Sequence, residues 1–345
     1  MQHFNLSIQV WYRQNYRNLP WRNTKNPYKI WLSEVILQQT RVEQGLKYYN
    51  RFISTYPTVK DLAAADEQQV LRLWQGLGYY SRARNLHTAA KQVMEEYNGV
   101  FPNKYKEIKS LKGVGDYTAA AIASFAFDLP YAVLDGNVFR VLSRFYNDDT
   151  PIDTPKGKKL FQRYVDDLLS RENPAEFNQA IMELGALVCK PKNPACDRCP
   201  IQDSCLAVRE GDPLGLPVKS KKTKVTRRYF HYFIADIKDV QLVQRKGQGI
   251  WKHLYQFPLL ETEKKVTKKA IQERVEMEYG VHLKGKIDQQ KHILSHQHID
   301  ATFWVVNKAI ESTDIETIPI STIDHYPLPR LIERFIEENE TPFHD

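Results

Sequence analysis

The chain has little cysteine: four residues in 345, all between positions 189 and 205. A secreted disulfide scaffold spreads its cysteines along the fold, so a single local cluster excludes that class and points to a reducing compartment. Long apolar runs are also missing. No stretch approaches the roughly 18 apolar residues of a membrane span, and the opening Met-Gln-His-Phe-Asn lacks a basic segment followed by an apolar one. The expectation is a soluble intracellular protein. Length and positive charge are not scarce. A chain of 345 residues has room for two domains with cores of their own. Its 49 Lys and Arg against 41 Asp and Glu leave a formal charge of +8, which suits a polyanionic partner without specifying one.

The segment 111–140, LKGVGDYTAAAIASFAFDLPYAVLDGNVFR, organises the N-terminal part. Gly113 and Gly115 fall between two helical patterns, and Asp116 opens the second. Such a turn is either a plain connection between antiparallel helices or a loop whose N–H groups face outward at a helix N-terminus, where phosphate binds. Beyond the Leu129-Pro130 break, Asp135 precedes another helix at 136–145. It is an N-cap, or a carboxylate that the helix dipole keeps ionised beside the hairpin. Upstream, residues 5–17 have helical spacing and end at Leu19-Pro20-Trp21-Arg22. The segment 28–44 reads as one helix in which Glu34 shares a face with Ile30, Leu37, Gln38 and Arg41. In apolar surroundings that acid would titrate near neutral pH; on an exposed face it would be an ordinary ion pair with Arg41.

A helix at 178–188 leads into Cys189-x6-Cys196-x2-Cys199-x5-Cys205. Zinc ribbons pair two short clips, and only Cys196 and Cys199 make one here. Residues 211–228 turn to Pro, Gly and Lys, the composition of an exposed connector. After it the period changes from 3.6 to 2, giving strands at 229–237 and 240–245 joined by a tight turn at Lys238-Asp239. Helices are expected at 266–279 and 328–338. His292, His296 and His298 nearly alternate, but no cysteine or carboxylate nearby completes a metal site.

The hairpin followed by Leu134-Asp135-Gly136-Asn137-Val138, the string WLSEVILQQTRV around Glu34, and the cysteine spacing resemble the helix-hairpin-helix superfamily of DNA repair glycosylases, and closely its MutY family of adenine DNA glycosylases. The resemblance implies a multidomain α and α+β fold. An all-α glycosylase domain would span 1–210, with a [4Fe–4S] cluster held by Cys189, Cys196, Cys199 and Cys205. A basic linker would occupy 211–228, and a Nudix-like (MutT-like) α/β domain that recognises the lesion would span 229–345.

The implied enzyme is a monofunctional DNA glycosylase of base excision repair, hydrolysing the N-glycosidic bond of adenine mispaired with 8-oxoguanine or guanine. Glu34 would protonate the purine at N7, and Asp135 would stabilise the oxocarbenium-like sugar, the division of labour of glycoside hydrolysis. Tyr117 and Asn137 would orient Asp135. Relatives of the endonuclease III type that also cut the strand carry a lysine where this chain has Tyr117, and tyrosine cannot form the Schiff base that lyase chemistry needs. Trp21 and Arg22 match the mouth of the family's substrate pocket. Leu37, Gln39 and Tyr79 would fill the gap left by the rotated nucleotide, Gly113 and Gly115 would hold phosphate, and Ser295 and His296 would read the lesion.

The chain also departs from the family. Lys112 replaces a common proline, and Leu294 replaces the aromatic of Phe-Ser-His. Of the magnesium-binding R-E-x-x-E-E run of a working Nudix helix only Glu278 survives, which implies recognition without catalysis. The implied partner is double-stranded DNA with such mispairs, met by a cytoplasmic, nucleoid-associated monomer. Two rivals are an endonuclease III-like glycosylase/lyase for damaged pyrimidines, disfavoured by Tyr117 and the C-terminal domain, and a non-catalytic DNA-structure binder, disfavoured by Glu34 and Asp135.

Overall fold

A computed structural model describes residues 2–220, 225–235 and 237–339. In chain order the helices are α1 (Gln2–Asn15), α2 (Pro27–Leu37), α3 (Val42–Thr55), α4 (Val59–Ala64), α5 (Glu67–Trp74), α6 (Ser81–Glu96), α7 (Tyr105–Ser110), α8 (Asp116–Phe127), α9 (Gly136–Phe145), α10 (Pro155–Leu168), α11 (Pro174–Leu187) and α12 (Leu206–Glu210). Strands β1 (Thr226–Ala235), β2 (Val240–Gln244), β3 (Tyr255–Gln256) and β4 (Leu259–Thr262) follow. After α13 (Lys268–Tyr279) come β5 (Leu283–Ile293), β6 (Gln297–Val306), β7 (Ile315–Ile318) and α14 (Arg330–Glu338). No helix among the described residues is long and apolar enough to cross a membrane. The residues group into two compact units, Met1–Ala64 with Asn85–Lys222, and Ala65–Arg84 with Thr223–Asp345.

The first unit is helical and centred on α2 and α8. Asn26 caps α2 by accepting from the amides of Tyr28 and Lys29, with Pro27 in the first turn. Most of the helix is then buried, from Ile30 to Ile36, as expected of an interior helix. Its neighbour α8 offers Ala119, Ala120, Ala121 and Ala123, all buried, and these small side chains let two backbones approach closely. The single helix read over 28–44 is in fact two. Gln39 adopts a left-handed conformation (φ 56°) and Arg41 becomes the N-cap of α3, so Arg41 does not share a helix face with Glu34.

Described residues of the expected connector at 211–228 are anchored at several points. Gly211 ends α12 with a left-handed φ of 108°, Leu216 is buried against Cys205 and Ala207, and the carbonyl of Val218 accepts from the amide of Ile152. Thr226 already belongs to β1.

In the second unit the sheets have strand orders β4-β1-β6-β5 and β3-β2-β7. β1 and β6 pair in parallel, whereas β5 and β6 are antiparallel. The two strands expected to meet across Lys238-Asp239 do not pair; β1 and β2 lie in different sheets. Phe233, Trp304 and Val306 pack under Ile271 and Val275 of α13, while Phe335 of α14 stacks on Phe303 with centroids 3.8 Å apart. The segment 65–84 joins this unit through specific polar contacts. Gln75 accepts from the amide of Leu328 at 3.1 Å, and the Tyr80 hydroxyl donates to the Leu328 carbonyl at 3.3 Å.

Candidate active site

Glu34 lies near the C-terminal end of α2 and is 7% exposed. The hydroxyl of Tyr117, from the first turn of α8, donates to Glu34 Oε2 at 2.7 Å. Burial pushes the Glu34 carboxyl up to about 7; the Tyr117 hydrogen bond and Arg22 pull it down, and the negative Asp135 adds to the upward push. Burial and the neighbouring acids hold the Tyr117 phenol well above its ordinary value, so it remains a donor. The partner assigned to Tyr117 from sequence therefore needs correction. Its hydroxyl orients Glu34, not Asp135.

Asp135 caps a helix at the edge of a cavity shared with Glu34. It is the N-cap of α9, with Oδ1 accepting from the Val138 amide at 2.8 Å, and its carboxyl opens on the cavity that Glu34 lines. Oδ2 accepts from Asn137 Nδ2 at 2.8 Å. Burial pushes this carboxyl up, and the donors on Val138 and Asn137 work against it by favouring the anion. The net direction is upward, so desolvation outweighs these donors at the helix terminus.

The cavity has a volume of about 280 Å³ and is lined by Trp21, Arg22, Leu37, Tyr117 and Asn137 besides the two acids. Trp21 is buried edge-to-face on Tyr49. The Arg22 guanidinium meets Glu183 of α11 at 2.7 and 2.9 Å; burial pushes the Glu183 carboxyl up, but Arg22 and Arg17 outweigh it and hold it down to about 2. Glu183 and Gln179 of α11 also line the cavity, and both were missed from sequence. Their spacing of four places them on one helix face, which is the signal the sequence carries for them.

Gln39 and the hairpin glycines lie outside this lining. Gln39 is exposed. Gly113 has φ +79°, and a Cβ there would come within 2.7 Å of Asn85 Cβ. Gly113→Ala is therefore expected to destabilise the protein by about 1–3 kcal/mol, read as a lower midpoint in urea. Gly115→Ala, at a site with open space, is expected to leave that midpoint nearly unchanged. Tyr79, Ser295 and His296 gather in the second unit, lining a groove of about 480 Å³. The Tyr79 hydroxyl is 2.7 Å from Ser295 Oγ, at a turn closed by the Leu294 amide on the Gln297 carbonyl.

The four cysteines line one small space with Val141, Leu184, Val188 and Ile201. Among the described residues no three ligand side chains converge as they would on a single ion. Sulfurs arranged around a space suit a multi-iron cluster with one thiolate per iron. Burial pushes the Cys199 thiol up to about 12 and raises Cys196 and Cys205, so ionisation there requires a cationic partner. The buried Arg144 guanidinium already donates to Cys189 Sγ at 3.3 Å. Arg140 links this loop to the cavity, with Nε on the Cys189 carbonyl at 2.6 Å and Nη2 on Asn137 Oδ1 at 2.8 Å.

Three family models match the chain. Residues 32–185 match the HhH-GPD superfamily of base excision DNA repair proteins, 189–205 the iron-sulfur binding domain of endonuclease III, and 230–338 the NUDIX domain. The class is thus a helix-hairpin-helix DNA repair protein with a [4Fe–4S] loop and a second, NUDIX domain. A thermostable thymine-DNA glycosylase superposes with a TM-score of 0.56 at 27% identity, over 60% of this chain and 95% of that one. The adenine DNA glycosylase of Buchnera aphidicola subsp. Baizongia pistaciae is 38% identical over 74% of this chain and 73% of its own length. That of Mus musculus is 43% identical over 62% of this chain and 44% of its own length. The chain belongs to the adenine DNA glycosylase family.

Proposed function

We propose that this protein removes adenine mispaired with 8-oxoguanine, or with guanine, from double-stranded DNA by hydrolysing the N-glycosidic bond, and that it does not cut the strand. The observation that carries this reading is the pair of unlike carboxyls on one cavity, Glu34 pushed up to about 7 by burial and Asp135 wrapped in N–H donors. Breaking the bond leaves positive charge on the sugar and negative charge on the departing base. Glu34 supplies the proton to purine N7, so that adenine leaves neutral. Tyr117 occupies Oε2, which leaves Oε1 to carry that proton. Asp135, its anion steadied by Val138 and Asn137, faces the cationic sugar.

The remaining contacts are proposed from the same reading. Leu37 and Gln39 fill space left by the rotated nucleotide, Tyr79 contacts the opposite base, the N–H groups around Gly113 and Gly115 take phosphate, and Ser295 and His296 read the lesion. When bound, the cluster supplies a rigid scaffold for the loop 189–205; cleavage needs no electrons. The protein acts as a monomer. A single-turnover assay on duplexes with adenine opposite 8-oxoguanine, adenine opposite guanine, or a damaged pyrimidine tests the reading. The expected product is an abasic site from the first two only, revealed as a break after alkali. Strand breaks without alkali, or activity on the pyrimidine alone, would overturn it.

A further inference from the structure

Beside the two acids the cavity wall carries an ion cluster that the reaction as described does not use. Glu183 is 1% exposed, yet its carboxylate accepts from the Arg17 amide (3.0 Å), from Arg17 Nε and Nη2 (2.9 and 2.6 Å), and from Arg22 Nη1 and Nη2 (2.9 and 2.7 Å). Arg22 is itself nearly buried, with a side chain 11% exposed. Burying such a group costs desolvation that apolar side chains of the same volume would avoid, and replacing buried ion triads with such residues is often neutral or stabilising. Stability alone is therefore a weak reason for charges on the wall of a reaction cavity.

We propose that Glu183 is a positioning residue for the reaction: by holding Arg22 and Arg17 it fixes the charge next to Glu34 and so sets the pH range over which Glu34 can deliver its proton. The inference rests on Glu34 being the acid. The charged and titratable groups around Glu34 are Tyr117 from α8, Asp135 at the head of α9, Arg22 from the turn Pro20–Arg22, Arg41 from the segment before α3, and Glu183 with Arg17 behind Arg22. Arg22 works against the proton on Glu34. Glu183 offsets it. Two cations around one anion leave a net single positive charge, whereas the same arginines without Glu183 would leave two.

The signs of the substitutions follow. Glu183→Gln makes the field at Glu34 more positive, so the proton is lost at lower pH. Arg22→Gln removes the opposing cation, so the proton is kept to higher pH. The double variant returns toward the wild type. The experiment is the pH dependence of single-turnover excision for these three variants and the wild type, with thermal midpoints measured alongside. The basic limb is expected to move down for Glu183→Gln and up for Arg22→Gln. A displacement of about one pH unit changes the rate above the limb about tenfold and leaves the ratio to wild type constant below it.

If Glu183→Gln fails to fold, the upward displacement in Arg22→Gln still decides the matter. Limbs that coincide with wild type, or that move in the same direction while the thermal midpoints fall, make Glu183 a structural brace and overturn the inference. Glu34→Gln separates this from failure of the underlying reading. If that variant excises adenine with an unaltered basic limb, Glu34 is not the acid. If it is inactive while the other limbs stay in place, only the role of Glu183 is lost.

Discussion

Glu34→Gln is expected to slow adenine excision by about 10²–10⁴-fold, the range for removal of a general acid, while duplex binding stays close to wild type. Glutamine preserves the shape of the side chain and can still accept from Tyr117, so the cavity keeps its form. It has no proton to give. The residual rate should also lose the decline that the wild type shows as pH rises through about 7. A substitution that kept both the rate and this decline would remove Glu34 from the chemistry.

The same variant carries a stability signature of opposite sign. Burial pushes the folded Glu34 carboxyl up to about 7 from an ordinary 4.5, so the folded state binds more protons than the unfolded one between those values. Wild-type stability therefore falls as pH rises through that window, and the loss is complete above it. Two to three pKa units correspond to about 3 kcal/mol. Glu34→Gln escapes this penalty: it should match the wild type below pH 4 and exceed it above pH 7, as read by urea unfolding across the range. A residue that lowers stability where it raises rate is what an acid held in apolar surroundings should be.

What was legible from sequence followed from local signals. The span 136–145 ahead of which Asp135 sits coincides with α9, because the N-cap, the hydrophobic period and the preceding Pro130 all lie within a few residues of one another. The cysteine spacing is likewise a local pattern. What escaped was set by distant partners or by backbone conformations that residue type does not announce. Glutamine at 39 carries no glycine-like mark of a left-handed turn, so the break between α2 and α3 was invisible and Arg41 was placed on the wrong face. Arg22 and Glu183 are 161 residues apart, and nothing near either names the other. The helix α5 has an ordinary amphipathic pattern, which records that one face is buried but not that residues 65–84 group with the strands. Strand patterns at 229–237 and 240–245 were visible, but alternation does not reveal which neighbour a strand pairs with.

Loss of a cluster ligand is expected to act at a distance. The loop from Cys189 to Cys205 contains only two short 3₁₀ turns, Cys196–Arg198 and Gln202–Ser204, and its small core is Cys205 and Ala207 with Leu216. Arg144 is buried among the carbonyls of Lys190, Pro191 and Leu216, so that charge depends on the loop keeping its shape. Metal binding to such a segment is folding free energy, and Cys199→Ser should yield protein with little iron and an early, separate loss of structure on heating. Excision should also fall at least tenfold, although Glu34 is untouched, because the Cys189 carbonyl holds Arg140, Arg140 holds Asn137, and Asn137 holds Asp135. Arg140→Gln isolates that last path: iron content should stay at the wild-type level while the single-turnover rate drops. Equal rates in Arg140→Gln and wild type would confine the effect of the cysteine substitution to the loop itself.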